Sequence, residues 1–235
     1  MSRLPYGGMP PTPVFFDIET GPLSLEEVEA VAPKFNPGKH VKYGNVKDPE
    51  KRAAIAAKAE EEWVPKLRET GGLNAEYGRV LLVSALFDDE PRFYEGEEGQ
   101  LISQLWDDLD VYRRGKPAVY VNHNIKNFDL PFLIRRSWVH DITVPTCVSP
   151  LGRYWPNEVI DTMDIWACTE FKKFISLDQL GRLLGLGGKN GSGENFADLY
   201  AEDPEAAKQY CLRDVELARD IYNRLGGERY VSFDE

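Results

Sequence analysis

The sequence predicts an α/β fold, a mixed β-sheet flanked by α-helices, with a helical insertion after the first strand. Two observations lead there. A predicted strand hairpin is followed by strands that alternate with amphipathic helices, the order that builds a layered mixed sheet. Between the first strand and that hairpin, the stretch Ser24 to Glu76 has a different character, charged and Ala-rich rather than strand-like. A chain of 235 residues suits one large domain with such an insertion, so residues 1–235 are expected to form a single domain with an insertion at about 24–76. The apolar fraction of 42% is enough for a full core.

After a Pro/Gly-rich lead from Pro5 to Pro13, Val14-Phe15-Phe16 reads as a short buried strand ending at Asp17. Within the insertion, Lys51 to Leu67 reads as one charged helix without a strong core face. Asp48 before Pro49 suits an N-cap with Pro at the first helical position, and Gly71-Gly72 marks the far end. Arg79 to Phe87 is the clearest strand, with Arg92-Phe93-Tyr94 as its hairpin partner across Asp88-Asp89-Glu90-Pro91. From Gln100 to Arg113, apolar residues recur at helical spacing (Leu101, Ile102, Leu105, Trp106, Leu109). Ala118 to Val121 is a fourth strand, followed by a turn and a helix from about Leu130 to Trp138. Val159-Ile160 is a short fifth strand leading into Asp161. A helix opens at Ser176, Gly185 to Gly193 is a glycine-rich loop, and a long helix runs from about Pro204 to Leu225.

Composition narrows the function classes. No apolar run approaches the roughly 20 residues that span a bilayer, and Met1 to Pro5 lacks the apolar stretch of a signal peptide. No membrane partner is expected. Cys147, Cys168 and Cys211 are odd in number, widely spaced and without a CxxC pair. They argue against zinc or disulfides and for a reducing cytoplasmic location, with all three expected in the core. The net charge of −11 counts against a broad nucleic-acid groove. It does not exclude a site in which carboxylates hold cations, because the cations then face the phosphate. Lys126, Arg135, Arg136, Lys172, Lys173, Arg182 and Lys189 read either as a solvated surface or as a rim facing a substrate.

Three acidic positions carry the candidate chemistry. Asp17 and Glu19 lie two apart on an extended segment, so both face one side. They follow an apolar strand, where carboxylates are unfavourable unless neutralised by a cation; a strand running out into a polar loop is the plainer reading. Asp129 follows the Ala118–Val121 strand, in the turn to the next helix, where taken alone it reads more strongly as an N-cap. Tyr210 and Asp214, at i and i+4, share one helix face, as a packed tyrosine beside an exposed aspartate would.

Taken together, Phe16-Asp17-Ile18-Glu19-Thr20, His123-Asn124-Ile125 with Phe128-Asp129 and Pro131, Asp161-Thr162-Met163-Asp164, and Tyr210-Cys211 with Asp214 resemble the exonuclease motifs of the DEDD superfamily. The tyrosine at Tyr210 matches its tyrosine branch, and the similarity is to the proofreading exonuclease domain of family B DNA polymerases. The resemblance implies a ribonuclease-H-like fold and two-metal phosphodiester hydrolysis with Mg²⁺ or Mn²⁺, held by Asp17, Glu19, Asp129 and Asp214. It implies that Tyr210 positions the attacking water, with its ordinary pKa near 10 unsuited to a general base. It implies substrate contacts at Thr20, Leu23, Asn124 and Phe128, with Leu23 as an apolar wedge between the last two bases or simply a packing residue. His123 and His140 read as surface or capping residues rather than ligands. The expected substrate is a single-stranded or frayed DNA 3′ end, with an exoribonuclease as the alternative and an inactive nucleic-acid-binding module as the alternative of another class. With the chain ending at Glu235, no polymerase module is expected on it. The enzyme would then act alone, serve a polymerase in trans, or trim repair or recombination intermediates.

Overall fold

The computed structural model describes residues 11–170, 174–188 and 196–231, without the side chains of residues 230 and 231. The start of the Pro/Gly-rich lead, Lys172, Lys173, Lys189 and the Lys189–Gly193 part of the glycine-rich loop lie outside the described residues. The chain divides into two compact units, Met1–Glu19 with Val80–Glu235, and Thr20–Arg79.

The first unit is built on a five-stranded sheet of order β3-β2-β1-β4-β5, with β1 Thr12–Pro22, β2 Gly78–Phe87, β3 Glu90–Glu95, β4 Ala118–Asn122 and β5 Val159–Asp161. β1 and β4 run parallel, with Phe15 opposite Val121, and β4 and β5 run parallel, with Asn122 opposite Asp161. β2 and β3 are antiparallel, so the sheet is mixed as expected. The hairpin is tighter than the sequence predicted: Phe87 pairs with Glu90, leaving only Asp88 and Asp89 as the turn. Both have positive φ (54° and 64°), the conformation a two-residue hairpin turn requires and one that aspartate tolerates.

The helices of this unit are α5 Glu98–Gly115, α6 Asp129–Val139, α7 Thr162–Ala167, α8 Leu177–Leu183, α9 Phe196–Glu202 and α10 Pro204–Arg224. The α10 helix starts at an Asp203 N-cap with Pro204 in its first turn. Its residues Val215 and Tyr222 pack with Phe15, Val119 and Val121 of the sheet. The alternate strand residues Val14, Phe16, Ala118 and Tyr120 point the other way. They are equally buried, so both sheet faces are covered. Trp106 of α5 donates from Nε1 to Ser137 Oγ of α6 at 2.9 Å. Glu98 accepts from Val80 N (2.7 Å), Arg136 Nε (2.9 Å) and Arg136 Nη2 (2.7 Å), and lies 2.7 Å from His140 Nε2. This buried carboxylate ties β2, α5 and α6 together.

The second unit holds α1 Leu25–Val31, α2 Pro37–His40, α3 Pro49–Glu61 and α4 Trp63–Glu69. The single helix expected from Lys51 to Leu67 is instead broken at Glu62. Pro65 gives the reason: inside a continuous helix its ring would clash with the Glu61 carbonyl one turn earlier. Asp48 does cap α3, accepting from the backbone of Glu50 and Lys51. The unforeseen α1 carries a capping box, Ser24 with Glu27, a signal that was present in the sequence. Gly71 and Gly78 permit a close crossing, since a Cβ on Gly71 would meet Tyr77 O at 2.4 Å and Pro22 Cα at 2.7 Å. Gly71 therefore serves a backbone approach and not merely a helix stop.

Three further expectations need correction. β1 does not end at Asp17 but continues to Pro22. Cys147 and Cys211 are buried, but Cys168 is exposed, ending α7 with φ 48°. His123 is a buried residue, 2.9 Å from Thr162 Oγ1 and 2.8 Å from Ile175 O.

Candidate metal centre

Because β1 stays extended through Glu19, Asp17 and Glu19 project to one side while Ile18 between them is buried. Ligand atoms of Asp17, Glu19 and Cys211 all lie within 4.8 Å of one another. Cys211 reaches this place from α10, with its Sγ 3.9 Å from Asp17 O. From the end of β4, Asn122 Nδ2 donates to Asp17 Oδ1 at 2.7 Å and to Asp129 Oδ1 at 3.1 Å. One amide thus joins the acids of two separate motifs. Asp129 is the first residue of α6 and 2% exposed, with Phe128 in the capping position, so it is not the N-cap its sequence position allowed.

The electrostatics fit a cation. Burial, then the charge of Asp17, pushes the Asp129 carboxyl well above its usual range, against the backbone and Asn122 hydrogen bonds that pull it down. Burial, then Asp17, Glu19 and Asp214 in turn, pushes the Cys211 thiol up as well. Asp214, 2% exposed on α10, therefore belongs to the same negative neighbourhood, although its oxygens and those of Asp129 lie outside the 4.8 Å group. Asn122 Oδ1 is buried without a hydrogen-bond partner among the described residues. Clustered carboxylates, half-buried at Asp17 and Glu19 and buried at Asp129 and Asp214, with an orphan carbonyl beside them, are a donor set for a hard divalent ion.

Tyr210 stands one turn before Asp214 on α10, its hydroxyl oxygen buried and its ring 6.1 Å from that of Phe196. Asp161 accepts from the backbone N–H of Asn124 (2.8 Å), Lys126 (3.2 Å) and Met163 (2.9 Å), fixing the turn that delivers Asp129. Asn124 takes a positive φ of 68° in that turn, and its Oδ1 accepts from Asn127 Nδ2 at 3.2 Å. Phe128 is half-buried, 5.8 Å from the Phe132 ring. Thr20 and Leu23 belong to the second unit, where the Thr20 hydroxyl donates to Gly72 O and Leu23 is 7% exposed. Of the described members of the basic set, Arg136 is buried against Glu98, Lys126 pairs with Asp164, Arg182 pairs with Asp178, and Arg135 is exposed. Asn122 and Cys211 were missed as site residues. Asn122, the polar end of an otherwise apolar strand, was the signal available for the first; Cys211 lies inside the Tyr210–Asp214 motif but reads there only as a core residue.

Asn122→Ala should lower metal-free stability by about 2–3 kcal/mol, because the amide serves two carboxylates, one buried at Asp129 and one half-buried at Asp17. Urea unfolding should show most of that loss disappearing when Mn²⁺ is added, since a cation replaces the missing positive dipole.

An acidic cluster beside the carboxyl ends of parallel strands, on a mixed five-stranded sheet flanked by helices, defines the ribonuclease-H-like exonuclease fold. The family model described as "Predicted 3'-5' exonuclease related to the exonuclease domain of PolB" matches residues 74–225, and the chain belongs to that family. Asp17 and Glu19 lie before the matched span. The family B DNA polymerase from the hyperthermophilic archaeon Pyrobaculum calidifontis has a similar fold, with TM-score 0.54 and 18% sequence identity over 93% of this chain. The chain spans 25% of that polymerase's length. No curated protein sequence gives a significant match. Among the described residues, no helix is long and apolar enough to cross a membrane.

Proposed function

We propose that this chain is a 3′–5′ exonuclease of the tyrosine branch of the DEDD superfamily, removing nucleoside 5′-monophosphates from single-stranded or frayed DNA 3′ ends. The observation that carries the reading is the bridge from Asn122 to both Asp17 and Asp129, two acids 112 positions apart in the chain, beside Glu19 and Asp214. Residues 1–235 would act as one exonuclease domain with an insertion at about 24–76. Asp17, Glu19, Asp129 and Asp214 would hold two Mg²⁺ or Mn²⁺ ions. When bound, such ions make water more acidic and neutralise charge on the phosphate. Tyr210 would hydrogen-bond the attacking water and aim it at phosphorus; a P–O bond to water forms as the bond to the 3′ oxygen of the preceding nucleotide breaks, the water giving up a proton to solvent and the departing oxygen taking one up as a 3′-hydroxyl. Asn122 keeps Asp17 and Asp129 in register for this work. Thr20, Asn124 and Phe128 contact the terminal nucleotides. Leu23 wedges between the last two bases, which requires it to leave its packed position. A polymerase or repair enzyme acting in trans would supply such ends.

The deciding assay is digestion of end-labelled single-stranded DNA, duplex DNA with a mismatched 3′ end, and RNA, with Mn²⁺, with Mg²⁺ and with EDTA. Metal-dependent release of mononucleotides from DNA 3′ ends is expected. Preference for RNA would replace the substrate, and strand binding without hydrolysis would mean an inactive module.

Tyr210→Phe should lower kcat by about 10²-fold, the lower end for removing one preorganised hydrogen-bonding group, with little change in KM. Steady-state kinetics on single-stranded DNA separates the two constants. A change confined to KM would make Tyr210 a substrate contact or a packing residue. Leu23→Ala should slow cleavage of single strands while leaving Mn²⁺ binding, read by thermal shift, unchanged.

A further inference from the structure

The charge of the chain is not evenly spread. Residues 20–79 hold ten basic and ten acidic side chains, so the whole net charge of −11 resides on the rest. Within residues 34–58 there are seven basic side chains against two acidic ones. Lys34, Lys39, Lys42, Lys47, Lys51 and Arg52 are all exposed. The two acids of the segment are Asp48, which caps α3, and Glu50 in the first turn of that helix. Among the described residues, no carboxylate forms an ion pair with any of those five lysines, whereas Lys58 beyond them pairs with Glu62. The positive charge is left facing solvent on an otherwise acidic protein.

Rings hold this segment in place. His40 stacks on Trp63 with centroids 4.2 Å apart, Phe35 packs edgewise on Trp63 at 5.9 Å, and Trp63 Nε1 donates to Pro33 O at 3.0 Å. Arg52 lies over the Tyr43 ring at 4.3 Å, joining α3 to the connection that carries Lys42 and Lys47. The rings are occupied with one another, so they frame the lysines rather than offering faces to bases. No residue of α3 is buried, and the helix presents its charged surface outward.

We infer that the basic segment of residues 34–58 binds the phosphodiester backbone of single-stranded nucleic acid, supplying the few phosphate contacts that this acidic enzyme makes to its substrate. The inference rests on the nuclease reading for its biological sense. Lysines on a ring-framed segment recognise phosphate as point charges, without base contacts, so the binding is independent of sequence. An acidic protein partner would meet the same charges, and the salt dependence and kinetics on a nucleic-acid strand tell the two apart.

The test uses the full chain and a Lys39→Gln/Lys42→Gln/Lys47→Gln/Lys51→Gln variant, with binding of a fluorescent oligothymidylate of about 20 nucleotides followed by anisotropy in EDTA. For wild type, log K against log salt should fall with a slope of about −2, corresponding to about three phosphate contacts on a single strand. The variant should flatten that slope toward zero and bind at least about tenfold more weakly at about 50 mM salt. With Mn²⁺ present, its KM for the same strand should rise by a similar factor while kcat holds, the pattern of lost uniform binding. The two double variants, Lys39→Gln/Lys42→Gln and Lys47→Gln/Lys51→Gln, should each lose about half the slope, a graded result that misfolding would not give. Unchanged slope and affinity in the quadruple variant overturn the inference and hand the segment to an acidic protein instead. Absence of Mn²⁺-dependent hydrolysis by wild type would instead remove the nuclease reading, while the EDTA isotherms still judge the basic segment on their own.

Discussion

Asp17→Ala is expected to reduce hydrolysis by at least about 10²–10³-fold, the scale for deleting one preorganised electrostatic group, while the protein stays folded. Asp17 is the residue on which the site converges: Asn122 donates to it, Glu19 and Cys211 lie beside it, and its charge raises both Asp129 and Cys211. Without it, the remaining acids have no common partner through which to share a cation. Metal-free stability should hold or rise, because one member of a like-charge cluster has gone. The Mn²⁺-induced rise in Tm should shrink, because ligand-linked stabilisation follows affinity. Paired measurements of turnover and of Tm with and without Mn²⁺ check both halves. Retention of a tenth of wild-type turnover would sink the assignment of the site.

Arg136→Leu should cost about 3–5 kcal/mol of stability, the range for leaving one member of a buried ion pair behind. Glu98 and Arg136 are 8% and 5% exposed, and the guanidinium makes two hydrogen bonds to the carboxylate. Removing it leaves Glu98 buried with Val80 N and His140 as its partners among the described residues. The double variant Glu98→Leu/Arg136→Leu should recover part of the loss, since an apolar pair no longer strands a charge; the Val80 N–H then lacks its acceptor, so recovery stays incomplete. A urea-unfolding double-mutant cycle gives the coupling directly. Additive losses in the two single variants would show that the pair does not act as a unit.

Much of the fold was legible because it rests on local signals. β2, β4 and β5 carry continuous apolar runs of strand length, and α5 and α10 carry apolar residues at helical spacing, so pattern alone located them within a few residues. The short helices α2, α7 and α9 were not foreseen. With four to seven residues each, they are too short for a periodicity to show. The extent of β1 was misjudged for a different reason. Asp17, Glu19 and Thr20 look like a polar exit from the strand, yet the strand continues through them because their side chains belong to the acidic cluster or to the turn at Gly72.

The site divides in the same way. The sequence alone determined that Asp17 and Glu19 face one side, since alternation along an extended backbone is a local property. It also set Tyr210 and Asp214 on one helix face, one turn apart. Tertiary structure decided that β4 delivers Asn122 between Asp17 and Asp129, and that α10 lays Cys211 against them. It also turned Arg136 inward to Glu98 and left Lys39, Lys42, Lys47 and Lys51 facing outward. Contacts between residues a hundred positions apart depend on which strands pair and which helix packs across them. Spacing along the chain carries no record of those choices; only the folded sheet makes them.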